Sequence, residues 1–210
     1  MSGEGASSAQ SAIDGTAAGD IWDNGFGISS PAASDAASGS LLYTLPSLMD
    51  DLTVKASYSA GGTGKESSTA VAVTYTGVDG LSASWGTGEL STVGSTGDAT
   101  TMKASYAVGS FTAAVSNTEV DYDASGNNDD EVTSWKVSYT VTDDLSISYG
   151  EETHETDGSS VDEEVEAITA SYTTGGMTIT AASVEATGVD HASGTSGEKE
   201  RWKLGVSFAF

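Results

Sequence analysis

Four of the seven cationic side chains in this sequence, Lys55, Lys103, Lys136 and Lys203, stand at alternate positions among serines, threonines and other small residues. Alternate residues of an extended strand share a face, so each lysine joins a polar face. A wall carrying ammonium groups exerts a field on any charged solute beside it; the plainer reading is a wall that is merely kept solvated. Asp14, Asp20, Asp23 and Asp35 give residues 1–39 the opposite sign. Two further patterns bear on metals and on proton transfer. Asp121, Asp123, Ser125 and Gly126 fill the first, third, fifth and sixth positions of a calcium-loop pattern, but the twelfth is Val132, where a bidentate Glu is required. A solvated acidic loop is therefore expected, and no metal centre. His154 and His191 stand beside Glu155 and Asp190 in separate polar stretches, which admits an Asp/His or Ser/His/Asp arrangement. No apolar pocket is expected near either, no nucleophile can be named, and catalysis is not expected. The absence of cysteine excludes thiol chemistry, disulfides and Cys-based zinc sites.

The composition narrows the class. No apolar run approaches the ~20 residues of a membrane-spanning helix. A net charge of −24 offers no basic patch for nucleic acid. High Gly, Ser and Thr content would by itself suggest a disordered or fibrous secreted chain; period-2 alternation argues for order.

That alternation begins near Leu41 and ends on the last nine residues, where Trp202, Leu204, Val206, Phe208 and Phe210 share one face and Lys203, Gly205, Ser207 and Ala209 the other. Between them, strands are expected around Leu52–Tyr58, Ala70–Thr76, Leu81–Trp85, Met102–Tyr106, Phe111–Val115, Trp135–Tyr139, Leu145–Tyr149, Ile168–Tyr172 and Met177–Ala181. Short turns, such as Gly77-Val-Asp-Gly80 and Gly175-Gly176, alternate with longer polar loops at 61–68, 91–98, 121–131, 151–164 and 188–198. One face carries aromatic residues at strand ends: Tyr75, Tyr106, Tyr139, Tyr172 and Phe208 near the short turns, Trp135 and Trp202 near the other rim, and Phe210 at the end of the chain. The other carries so many hydroxyls and ammoniums that it is expected to be wet. Apolar outside and polar inside is the pattern of a transmembrane antiparallel β-barrel, in which a lipid-facing Lys would cost about 2–4 kcal/mol. From Trp202 to Phe210 a tilted strand rises about 19 Å, close to the thickness of the apolar band of such barrels. About eleven strands are expected, an odd number where single-chain bacterial barrels have an even one, so leading strands are expected to be missing. Met1-Ser-Gly-Glu-Gly lacks a basic, apolar leader, in keeping with that expectation. Residues 1–39 do not alternate. Ile13, Ile21, Trp22, Phe26 and Ile28 favour a folded loop there over a disordered tail.

The terminal W-x-L-x-V-x-F-x-F strand, Leu42-Tyr-Thr-Leu-Pro-Ser47, Leu52-Thr-Val-Lys-Ala-Ser-Tyr58 and the hairpin rhythm between them resemble the general bacterial porins, especially those of alphaproteobacteria. The resemblance implies that residues 1–39 are the constriction loop, which folds into the pore, and that residues 40–210 are the C-terminal strands of a sixteen-stranded barrel without its first five. It implies a homotrimer in the bacterial outer membrane, contacting lipid and lipopolysaccharide, which passes small hydrophilic solutes by diffusion without a cofactor or enzymatic activity. The narrowing would set Asp14, Asp20, Asp23 and Asp35 against wall cations drawn from Lys55, Lys103, Lys136, Arg201 and Lys203. Dense arginine clusters are absent, so the transverse field is weaker than the family's, and acidic loops at the mouth favour mild cation preference. The alternatives are a secreted acidic adhesin or surface-layer protein, which leaves the aromatic rims unexplained, and an outer-membrane hydrolase, which needs converging polar groups. Acidic loops bridged weakly by calcium or magnesium to lipopolysaccharide are the other reading of 121–131. Eleven strands alone would leave two open edges.

Overall fold

Alternating Val, Ile, Tyr and Thr with glycine at the turns folds as strands, and the computed structural model contains eleven of them. It describes residues 7–29, 32–34, 40–46 and 49–209. The strands are β1 (Leu41–Thr44), β2 (Leu52–Ser59), β3 (Ser68–Tyr75), β4 (Leu81–Thr92), β5 (Ser95–Val108), β6 (Phe111–Tyr122), β7 (Asp130–Thr142), β8 (Leu145–Thr156), β9 (Glu163–Thr174), β10 (Met177–Thr187) and β11 (Lys199–Phe208). Two single turns of 3-10 helix, Val189–His191 and Gly194–Ser196, lie between β10 and β11. All eleven strands form one antiparallel sheet in sequence order, with β1 and β11 at its edges.

Register fixes the faces. Ser84, Lys103, Ser116, Ser134 and Glu152 oppose one another from β4 to β8 on the inner face. The neighbours in sequence, such as Trp85, Met102, Trp135 and Glu151, point outward. The outer face carries large apolar side chains in the open, among them Met102, Tyr106, Phe111, Val137, Ile147, Ile168 and Leu204.

Two expectations change. The stretch expected as a polar loop at 91–98 is a tight hairpin: Thr92 pairs with Ser95 across Val93-Gly94, and Gly94 supplies φ 89°. The turn between β2 and β3 lies alongside it, bridging Lys65 to Thr92, so the polar backbone there is paired like any strand. For the same reason β6 to β9 run further than their apolar cores suggest, and the loops they leave are short.

The inner face is also not uniformly polar. Near the short turns it is serine, threonine and lysine; further along it becomes Ala70, Ala72, Leu90, Ala99, Val120, Val132, Val165, Val184 and Ala186, all buried. Residues 7–29 and 32–34 cover that part. Ala9 and Ile13 pack on Ala70 and Ala72, Ala32 on Leu90, Ala99 and Val120, and Ile21, Trp22, Phe26 and Ile28 on Val165, Ala167, Val184 and Ala186. Ser8 to Ile13 forms one helical turn, with Ala12 N–H donating to Ser8 O at 3.1 Å.

The candidate pore constriction

The covering segment crosses the strands, so its backbone cannot join the ladder and must find partners among wall side chains. Small hydroxyl residues at inward positions supply acceptors. Ala9 N–H donates to Ser57 Oγ at 2.9 Å, Ala17 N–H to Ser116 Oγ at 2.8 Å and Ala18 N–H to Ser134 Oγ at 2.9 Å. Gln10, fully buried, donates from Nε2 to Thr101 Oγ1 at 2.9 Å and receives the Ser34 N–H at 2.9 Å. Inward cations take the carbonyls. Lys103 Nζ donates to Gly15 O at 2.5 Å and to Thr16 O at 3.4 Å, Lys136 Nζ to Ala18 O at 3.3 Å, and Arg201 Nη1 to Asn24 O.

Glu152 holds the centre. It is fully buried on β8, accepts the Trp22 N–H at 2.8 Å on one oxygen and the Thr16 hydroxyl on the other. Gly88 gives the segment room: a Cβ there would fall 2.7 Å from Ser34 Cβ and on Ala70 Cβ.

The acids sit on this platform. Asp14 is half-buried, and burial first, then the Asp20 charge, push its carboxyl above the usual carboxylate range against the opposing pull of Lys103. Asp20 has positive φ, accepts the Thr16 N–H at 2.9 Å and is exposed, as is Asp23. Asp35 lies outside the described residues. Lys55 and Lys203 are inward on β2 and β11, opposite Ala72 and Ala182. Asp14 and Asp20 thus share a small cavity with the wall residue Thr118, and the Lys103 charge pulls on Asp14.

A model of the family described as Gram-negative porin matches residues 3–192. The chain belongs to the Gram-negative porin family, and its place is the outer membrane of a Gram-negative bacterium. Among solved structures, an anion-selective porin from Comamonas acidovorans is 14% identical with a TM-score of 0.66, over 81% of this chain and 59% of that one. A porin structure refined at 1.8 Å is 18% identical with a TM-score of 0.64, over 80% of this chain and 60% of that one. OmpT, an outer membrane protein of Vibrio cholerae, is 16% identical with a TM-score of 0.60, over 80% and 63%. This porin chain therefore spans about three-fifths of the length of those structures. No sequence among the curated proteins matches it.

The aromatic residues at the strand ends of this porin fall outward and at two levels. Tyr75, Tyr106, Tyr139, Tyr172 and Phe208 stand at the short-turn ends of their strands, and Phe111 joins them with its ring 4.6 Å from that of Tyr139. Trp135 meets Tyr149 edge-on at 5.3 Å on the far level, with Trp85 and the exposed Trp202. Phe210 lies outside the described residues. The calcium-loop pattern is broken up: Asp121 belongs to β6, and Val132 is buried on β7.

Sequence reasoning missed Glu152, Gln10 and the role of Ser116 and Ser134. The parity running from Ser146 through Ser148 and Gly150 reaches Glu152 on the inner face, and it was the available signal.

Proposed function

We propose that this chain provides the wall and constriction of a water-filled outer-membrane channel through which small hydrophilic solutes and ions diffuse, and that it does no enzymatic chemistry. The observation that carries the reading is the segment of residues 7–29 and 32–34, which carries Asp14 and Asp20 and is tied across the inner face by serine hydroxyls, Lys103, Lys136 and Arg201. In this reading Asp14, Asp20, Asp23 and Asp35 face the lumen, and Lys55, Lys103, Lys136, Arg201 and Lys203 line the wall. Three of those five cations spend hydrogen bonds on segment carbonyls, which leaves the acids to set the sign of the field. Mild cation preference follows.

The outward Tyr75, Tyr106, Tyr139, Tyr172 and Phe208, with Trp135, Trp202 and Phe210, form the two aromatic girdles that meet the lipid headgroups. The strands belong to a sixteen-stranded barrel whose copies assemble as trimers beside lipopolysaccharide.

Planar-bilayer recording tests the reading. Openings in groups of three are expected, with a reversal potential in a salt gradient on the cation side. Asp14→Asn combined with Asp20→Asn is expected to move it toward zero. Absence of openings would overturn the channel, and anion preference would overturn the assignment of the acids.

A further inference from the structure

The four inward lysines stand in one relation to the covering segment. On β2, Lys55 is two residues from Ser57, the acceptor of the Ala9 N–H, and on β5 Lys103 is two residues from Thr101, the acceptor of Gln10 Nε2. On β7, Lys136 is two residues from Ser134, the acceptor of the Ala18 N–H, and on β11 Lys203 is two residues from Arg201, the donor to Asn24 O. Two residues are one step along the inner face, and in all four strands the step runs toward the short turns. The lysines therefore border the segment on its short-turn side. Beyond them, no inward strand position among the described residues carries a carboxylate before the short turns are reached. The long-loop side is the reverse. Asp130 and Glu163 are inward on β7 and β9, and Asp123, Asp157, Asp162 and Asp190 stand in the loops. Among the described residues, the lysines and arginines at that end beyond the segment are Lys65 and Lys199. Asp50, Asp51, Asp79, Asp143 and Asp144 are exposed on the short turns themselves.

We infer that the channel rectifies: it passes more ionic current when the long-loop side is positive than when it is negative. The inference rests on the reading of this chain as the wall of a channel. A potential positive on the long-loop side drives cations in through the acidic half and anions in through the lysine-bordered half, so both accumulate around the segment and conductance rises. The opposite potential draws both away from the segment, and conductance falls. Fixed charge acts on mobile ions over about 10 Å at 0.1 M salt and about 3 Å at 1 M. The lysines border the segment itself, within that range of the ions that pass it. The carboxylates of the short turns stand further off: Asp51 comes four residues before Lys55, about 13 Å of extended chain.

Single-channel current–voltage curves in planar bilayers test the inference. Ser125→Cys introduces a thiol into a sequence without cysteine, and biotin attached there with streptavidin in one chamber shows which way the long loops face. In about 0.1 M KCl the current with the long-loop side positive is expected to be about twice that at the same voltage reversed, and in about 1 M KCl roughly equal to it. Lys55→Gln combined with Lys203→Gln is expected to lower the ratio toward one, and Lys55→Arg combined with Lys203→Arg to keep it. If the double glutamine variant fails to fold, each single glutamine variant is expected to lower the ratio by a smaller step. Equal currents in dilute salt, or the larger current with the long-loop side negative, would overturn the inference and leave the channel standing. A ratio unchanged by concentrated salt or by the glutamine variants would overturn it in favour of pore shape. Absence of openings would remove it together with the channel reading.

Discussion

Glu152→Ala takes away a wall carboxylate that grips the covering segment at two points. The wild-type carboxylate is fully buried and holds the Thr16 hydroxyl and the Trp22 amide. A hydrogen bond to a charged acceptor contributes roughly 1.5–3 kcal/mol, so the pair contributes roughly 3–6 kcal/mol to docking. Burial of the carboxylate opposes this, and the lower figure, about 3 kcal/mol, is the better guide to the net effect. At 1.4 kcal/mol per decade, the segment should open about 100-fold more often. Hydrogen exchange reads this directly: the amides of Ala17, Ala18 and Trp22 should exchange about 100-fold faster, while the paired amides of β7 and β8 keep their protection. Glu151→Ala is the control, since Glu151 points to the opposite face and should change nothing. Unaltered protection of Ala17 and Ala18 in the Glu152 variant would refute the argument, because the segment would then be held by something other than the bonds described.

Other consequences of the same geometry can be checked. Ser116→Ala and Ser134→Ala each remove the acceptor of one segment amide, worth about 1 kcal/mol, and each should speed exchange of its own partner, Ala17 or Ala18, about fivefold. Gly88→Ala pushes a methyl against Ser34 and Ala70, and should lower stability by about 1–3 kcal/mol, seen as an earlier thermal transition. Asp14 has its carboxyl raised by burial and by Asp20, so the docked state favours the protonated form. Its contribution is fully favourable below the ordinary carboxylate range and is lost as pH rises through the raised value. Asp14→Asn should therefore stabilise docking at neutral pH, a gain that vanishes in acid, as followed by exchange of the Ala17 and Ala18 amides across a pH series.

Much of this was readable in the residues. The alternation from Leu41 to Phe208 carried the strands, their number and the inward parity of the lysines, because side-chain direction in a strand has a strict period of two. The apolar set Ile13, Ile21, Trp22, Phe26 and Ile28 marked the stretch around them as folded, and it packs on the inner face. The extent of the strands was not readable. Ser91, Thr92 and Thr96 are polar on both sides of the chain, and nothing in their types distinguishes a paired edge from a loop; the pairing comes from Lys65 and Glu66, more than twenty positions earlier. Glu152 was hidden for a similar reason. Between Glu151 and Thr153 it reads as surface, and only a segment more than a hundred residues away removes it from water. The shift of the inner face from serine to valine along each strand has meaning only once that segment lies upon it.

The bonds that tie the segment to the wall follow the order of the strands. Its partners are separated from it by 48 positions at Ala9, 91 at Gln10, 99 at Ala17, 116 at Ala18, 130 at Trp22 and 177 at Asn24. Each of these six contacts reaches a later strand than the one before, ending on β11; the Thr16 hydroxyl on Glu152 of β8 is the exception. The first contacts can form once the early hairpins pair, and the last must wait until the final strand is added to the sheet. Loop-closure entropy rises slowly with length, so each added contact finds the next one already brought near. Complete docking therefore needs the sheet from β2 to β11, and Arg201 closes on Asn24 only when β11 is in place.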